Sequence, residues 1–208
     1  MKYGLVLFDV DSTLIEQEVI DLLAAATPHG QAVAEITARA MAGQLNFDDA
    51  LRERVALLKG LPETVVTSVH DRMTFSPGAV KLLNHLHEND YLVGVVSGGF
   101  HNVLDRFFAP YNLDFLSANT LEVVDGRLSG KTIGPIINRL AKAEALRKFA
   151  ARNQISLDRT VAIGDGSNDV EMVELAGLGV SFRGKPILNQ VADVVLHNEL
   201  DEIIAYLT

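Results

Sequence analysis

No cysteine occurs anywhere in the 208 residues. Disulfides are therefore excluded, and so are a thiolate nucleophile and any zinc or iron–sulfur centre built on cysteine. Long apolar runs are missing as well: none approaches the roughly 20 residues that span a bilayer. At the N-terminus the apolar stretch of MKYGLVLFDVD is cut by Asp9, short of a secretory signal, and no small-residue cleavage site follows. A protein of the cytoplasm, without a membrane partner, is the expectation by elimination. Clustered bases are also lacking. The net charge is −9, with both signs spread along the chain, which argues against a nucleic-acid partner. An acidic chain that handles an anion must therefore concentrate positive charge at one spot. Internal repeats and low-complexity stretches are absent.

What is present is an ordinary globular composition, 48% hydrophobic and 22% charged. Short apolar runs recur at residues 3–8, 91–96, 160–164, 178–182 and 193–196, with amphipathic stretches at 78–89, 138–153 and 168–176 between them. Near-continuous apolar strands separated by helices predict βα units around a parallel sheet covered on both faces. Asp125-Gly126, set in alternating sequence over 119–131, predicts a hairpin. Residues 14–75 hold no such run and read as four helices, punctuated at Thr27–Gly30, Ala42-Gly43 and Lys59–Pro62. Asn46 is the expected N-cap of a helix through Lys59, with Asp48 and Asp49 in its first turn. An insert this long after a first strand is too long for a loop. The expected architecture is α/β: a doubly wound, Rossmann-like parallel sheet core (1–13 and 76–208) with a small inserted helical cap domain (14–75).

Three polar clusters follow apolar strands. Asp9 ends the first, with Asp11 two residues on and so on the same side of extended chain. Ser97, Gly98 and Gly99 follow the second, offering a hydroxyl and approachable N–H groups that open a helix, an anion site. Asp165, Asn168 and Asp169 follow the third. Each cluster alone is also a plain capped turn. Together, at strand ends where ligands bind, they match a phosphate plus a metal. Carboxylates this close repel unless a cation sits among them, and oxygen ligands alone favour Mg2+. Lys142 could supply further positive charge. Its default place is a solvated helix face, but Ala141, Ala143 and Ala145 beside it would permit close approach to another element. The histidines show no metal-ligand spacing, and His101 reads as helix surface. Met41 and Phe47 read as core of the insert or wall of a pocket.

FDVDST (8–13), VVSGGF (95–100) and GDGSND (164–169), with Lys142, resemble the motifs of the haloacid dehalogenase superfamily of aspartate-nucleophile phosphotransferases. The likeness extends over nearly the whole chain, through GQLNFDDALRERVALLKGLP, SGGFHNVLDRF and FRGKPIL. It runs to the branch acting on O-phospho-L-serine. Ser167, where alanine is common, is one small departure.

The resemblance implies Asp9 as nucleophile and Asp11 as general acid/base. It implies Mg2+ held by Asp9, Asp165 and the backbone carbonyl of Asp11, with Asp169 behind them. Ser97, Gly98 and Lys142 would hold the phosphoryl group, with Asn168 nearby. Glu18 would meet the substrate ammonium and Arg54 its carboxylate, for which a planar guanidinium fork is suited. Asp11 must hold a proton as the alcohol leaves, so its pKa is expected to be raised by its carboxylate neighbours. The expected reaction is hydrolysis of O-phospho-L-serine to L-serine and phosphate, with the insert closing as a lid, by a monomer or homodimer. Open alternatives are transfer to another alcohol such as homoserine, another small phosphomonoester as substrate, and a phosphate-binding scaffold without activity.

Overall fold

Val6 and Phe8 enter one buried cluster while Leu5 and Leu7 enter another, so the first strand buries both of its faces. That is why its sequence runs apolar without alternating. The computed structural model describes residues 2–25, 27–42 and 44–207, without the side chain of Met41. Gly43, one expected helix boundary, lies outside them, as does any role for the Met41 side chain.

In chain order the elements begin with β1 (Leu5–Phe8), a wide turn over Val10–Leu14, and helices α1 (Val19–Ala24), α2 (Gly30–Met41), α3 (Phe47–Ala56) and α4 (Thr64–His70). Then come α5 (Ala79–Glu88), β2 (Leu92–Phe100), α6 (His101–Phe108), β3 (Phe115–Val124) and β4 (Arg127–Ile133). The chain closes with α7 (Arg139–Arg152), β5 (Thr160–Gly164), α8 (Val170–Leu175), β6 (Leu178–Phe182), α9 (Pro186–Asn189), β7 (Val194–Leu196) and a 3-10 segment over Leu200–Tyr206. The strands form a seven-stranded sheet in the order β4-β3-β2-β1-β5-β6-β7. All neighbours are parallel except the β3–β4 hairpin. From β1 the chain winds outward to β2, β3 and β4, then crosses back through α7 to β5 on the other side of β1 and winds on to β6 and β7. A crevice therefore opens at β1, where the winding reverses. Leu82, Leu86, Val103 and Phe107 of α5 and α6 cover one face, and Leu146, Phe149, Met172 and Leu188 of α7, α8 and α9 cover the other.

The helices α1–α4 leave the sheet after β1 and return before α5 through two extended stretches, bridged at Ile15 and Phe75. Val19, Leu23, Leu51, Val55 and Val69 belong to the same buried cluster as Phe8, Phe100 and Phe107. The four helices thus rest on the sheet body through continuous apolar packing.

Three local expectations are corrected. The α3 helix does not reach Lys59 but ends at Ala56, because the chain peels away to pair with the hairpin: Gly60 N donates to Leu128 O (2.8 Å) and Leu128 N to Leu61 O (2.8 Å). Gly60, at φ +86°, makes that exit. Ser97-Gly98-Gly99 lie inside β2, where the register with β3 shifts between Val96 and Phe100, and α6 opens only at His101. His101 is no bare surface residue: its Nε2 accepts from Ala118 N (3.1 Å) and its Nδ1 lies 2.7 Å from Asp105 Oδ1, tying α6 to β3. The expected cap at Asn46 is present, with Asp49 N donating to Asn46 Oδ1 (3.2 Å). Among the described residues no helix is long and apolar enough to cross a membrane.

Candidate active site

Three neighbouring strands run parallel and bring their site residues level, although β2 continues beyond them to Phe100. Phe8 is level with Val95 of β2 and with Ile163 of β5, so Asp9, Ser97 and Asp165 emerge at one edge. Asp9 N donates to Ile163 O (2.8 Å), which fixes where its buried side chain starts.

Lys142 is fully buried there, against the default for lysine. Its Nζ lies 2.6 Å from Asp9 Oδ1, close enough for an ion pair though not aligned as a hydrogen bond, and 2.6 Å from Asp169 Oδ1, to which it donates. Small Ala143 and Ala145 and the apolar Leu146 and Phe149 let this part of α7 sink toward the sheet. Burial works against the ammonium, but Asp169 and Asp9 more than offset it and hold its pKa above the ordinary lysine range. Asp169 Oδ2 accepts from Asp165 N (3.2 Å) and Gly166 N (3.0 Å), so this carboxylate both anchors Lys142 and shapes the 165–169 turn.

Asp11 points to a different set of partners. Its Oδ1 accepts from Val19 N (2.7 Å) at the start of α1, and its Oδ2 accepts from Ser97 Oγ (2.8 Å). Gly99 N donates to the same Ser97 oxygen (2.7 Å). A Cβ on Gly99 would stand 2.9 Å from both Asp11 Oδ2 and Ser97 Oγ, and one on Gly98 would stand 2.9 Å from Phe47 Cζ. At both positions a side chain would force its neighbour to shift, a closeness in keeping with the approachable backbone expected of the Ser-Gly-Gly run. The pKa of Asp11 is raised, but the cause differs from expectation: burial raises it, while the bonds from Val19 and Ser97 oppose.

The carboxylates Asp9, Asp11, Asp165 and Asp169 are all buried around the single ammonium of Lys142. Burial, then the charge of Asp169, pushes the pKa of both Asp9 and Asp165 upward. Oxygens of Asp9, Asp165 and Asp169 lie within 4.8 Å of one another, and Asp165 Oδ1 is buried without a hydrogen-bond partner among the described residues. An oxygen-only donor set with an unpartnered buried carboxylate oxygen fits a metal ion, and a hard one.

A chamber opens above these groups. Asp9, Asp11, Gly98, Gly99 and Asn168 form its floor, and Glu18, Ile20, Ala40, Phe47, Leu51 and Arg54 of the helical segment form its walls. Glu18 Oε1 accepts from Ser12 Oγ (2.7 Å), which the positive φ of Ser12 (56°) turns toward it. Arg54 is buried, with Nε donating to Ala50 O (3.1 Å). Ser167 Oγ reaches across to Ala40 O of α2 (3.3 Å). Of the expected site residues, Asp9, Asp11, Glu18, Arg54, Gly98 and Asn168 line this space, while Ser97, Lys142, Asp165 and Asp169 are buried next to its floor without lining it. Sequence reasoning missed the apolar walls Ile20 and Leu51, whose spacing looks like ordinary helix core.

A family model for haloacid dehalogenase-like hydrolases matches residues 6–174. A phosphoserine phosphatase of Streptococcus thermophilus is 48% identical over 185 residues, covering 89% of this chain and 86% of that one. One of Streptomyces coelicolor is 48% identical over 98% of this chain, which spans only 50% of that relative. Two solved structures superpose over their full lengths and over all of this chain. One is a phospho-aspartyl intermediate analogue of phosphoserine phosphatase (TM-score 0.95, 42% identical) and the other a substrate-bound phosphoserine phosphatase complex (TM-score 0.96, 41% identical). The family match spans the ends of all three site-bearing strands together with Lys142. The chain belongs to the haloacid dehalogenase-like hydrolases.

Proposed function

We propose that the protein hydrolyses O-phospho-L-serine to L-serine and phosphate, with Asp9 as the transient phosphoryl acceptor. The observation that carries this reading is the chamber whose floor holds Asp9, beside Lys142, and Asp11, bonded to Ser97, and whose walls hold Glu18 and Arg54. Its polar groups match the phosphate, ammonium and carboxylate of one small molecule. The relatives named above carry the same activity in their names.

In the first step an Asp9 oxygen attacks phosphorus, the ester P–O bond breaks, and the departing serine oxygen takes the proton of Asp11. In the second, water attacks the phosphorus, gives its proton to Asp11 and releases phosphate, returning Asp9 to a carboxylate. One acid/base serves both halves. Ser97, Gly98 and Lys142 hold the phosphoryl oxygens, with Asn168 beside them. Ser97 Oγ donates to Asp11 in this structure. Turning that hydroxyl toward a phosphoryl oxygen removes a bond that stabilises the Asp11 anion, so substrate binding itself favours the protonated acid. Asp9 and Asp165, with the backbone carbonyl of Asp11, would hold Mg2+, which when bound neutralises charge on the phosphate. Asp169 would keep the 165–169 turn in place. Helices α1–α4 would close as a lid that excludes bulk water. The same reading carries a cytoplasmic setting, a role in serine formation, and a monomer or homodimer.

Asp9→Asn tests the core of it. The amide cannot attack phosphorus, so phosphate release from O-phospho-L-serine should vanish while the circular dichroism spectrum stays that of the parent. More than a trace of turnover would remove Asp9 as the acceptor.

A further inference from the structure

Arg54 is buried and, among the described residues, uses two of its five N–H donors, both inside the helical segment. Nε donates back to Ala50 O (3.1 Å) on its own helix, and Nη1 donates to Thr37 Oγ1 (3.0 Å) on α2. Thr37 is itself buried at 3% exposure. Its single hydroxyl proton has two acceptors in reach, Asp21 Oδ1 of α1 at 2.8 Å and Val33 O at 3.0 Å. Donation to the carbonyl four residues back is the default of any mid-helix threonine. The Asp21 carboxylate is the stronger acceptor because it is charged. A hydroxyl can donate once and still accept. Asp21, Thr37 and Arg54 therefore form one line of hydrogen bonds across α1, α2 and α3.

The two bonds from Arg54 leave one N–H on Nη1 and both on Nη2, enough for an end-on pair that matches a carboxylate fork. They also fix the plane of the guanidinium. An arginine free to rotate loses that freedom when it binds, at a cost to affinity, whereas one already held has lost it on folding.

We infer that Thr37 and Asp21 are positioning residues for the substrate carboxylate, holding Arg54 so that its free N–H pair faces the chamber. This rests on the phosphoserine reading of the site.

The test compares KM for O-phospho-L-serine with Ki for inorganic phosphate, which lacks a carboxylate, in the full chain with Mg2+. Thr37→Val keeps the shape and removes the acceptor. It should raise KM about 10-fold, the effect of one hydrogen bond to a charged group, with kcat and the phosphate Ki little changed. Thr37→Ser should restore KM. Asp21→Asn, whose amide oxygen still accepts, should raise KM by a smaller factor, and it carries the test alone if Thr37→Val does not fold. Arg54→Ala is the reference. If it raises KM and neither Thr37→Val nor Asp21→Asn does, the inference fails and the phosphoserine reading stands. If KM and Ki rise together, or Thr37→Ser restores nothing, the role is structural and the inference fails. If Arg54→Ala leaves KM unmoved, the carboxylate reading itself falls, and the inference with it.

Discussion

Glu18 stands half-buried at the entry to α1, and burial, reinforced by the charge of Asp11, pushes its pKa up to about 7. Asp21 adds to the rise, while the hydrogen bond from Ser12 and the charge of Arg54 oppose it. A carboxyl that must pair with an ammonium has to be ionised, so it binds poorly below that pKa and well above it. KM for O-phospho-L-serine should therefore fall as pH rises through about 7. The phosphate monoester also titrates nearby, at about 6, so the informative quantity is the difference between the parent and Glu18→Gln. The variant should show a flatter profile and a higher KM on the alkaline side. Equal profiles would take Glu18 out of ammonium recognition. At this scale the sequence was legible where the signal was local: Asp9, Ser97 and Asp165 each follow a short apolar run closely. Glu18 and Arg54 could be read only through resemblance. The bonds Lys142–Asp169 and Arg54–Thr37 join residues 27 and 17 positions apart, and Thr37 could not be read at all, because only the packing of two helices brings its hydroxyl to Arg54.

Helix starts and strand ends carry the site, and Asn138 shows how two elements are held together. Its Oδ1 accepts from Ala141 N (3.1 Å), capping the helix that carries Lys142, while its Nδ2 donates to Asp48 Oδ1 (3.0 Å) in the first turn of the helix that carries Arg54. Asn138→Ala removes both bonds. Loss of an N-cap costs about 1 kcal/mol, which for a chain of this size lowers Tm by about 2–4 °C. Freed from Asp48, α3 should also sit less firmly over the chamber, so KM should rise together with the fall in Tm. A melting curve identical to the parent's would mean that the cap contributes nothing. Elements were read well where burial is two-sided: the runs at 160–164 and 178–182 match β5 and β6 residue for residue. The first half of β3, from Phe115 to Ala118, went unread because it is a short and mostly half-buried stretch whose partner is β2, far back in the chain. The early end of α3 was equally hidden, since the hairpin that draws the chain away follows more than sixty residues later.

Across the whole molecule, a chain of net charge −9 folds by burying four carboxylates around Lys142, and that arrangement has a thermodynamic signature. Burial, then the charge of Asp169, holds Asp9 and Asp165 well above the ordinary carboxyl pKa of 3.8 in the folded state, while the unfolded chain has no such environment. Between the two values the folded protein binds more protons than the unfolded one. Its stability is then fully present below the unfolded pKa and is lost as pH rises through the folded one. A divalent cation binds only the ionised carboxylates of the folded protein, so its stabilisation grows over that same range. In EDTA, Tm should fall as pH rises above the ordinary carboxyl pKa of 3.8 and through the raised values of the folded protein, and the increment on adding Mg2+ should widen in parallel. Asp165→Asn removes one of the strongly raised groups and one oxygen anion, and should flatten both trends. Since the four helices and the sheet share one buried cluster, the melt should remain a single transition in which the site's linkage is read on the whole fold. An EDTA profile that climbs with pH, or a Mg2+ increment as large in Asp165→Asn as in the parent, would show that this cluster does not carry the linkage.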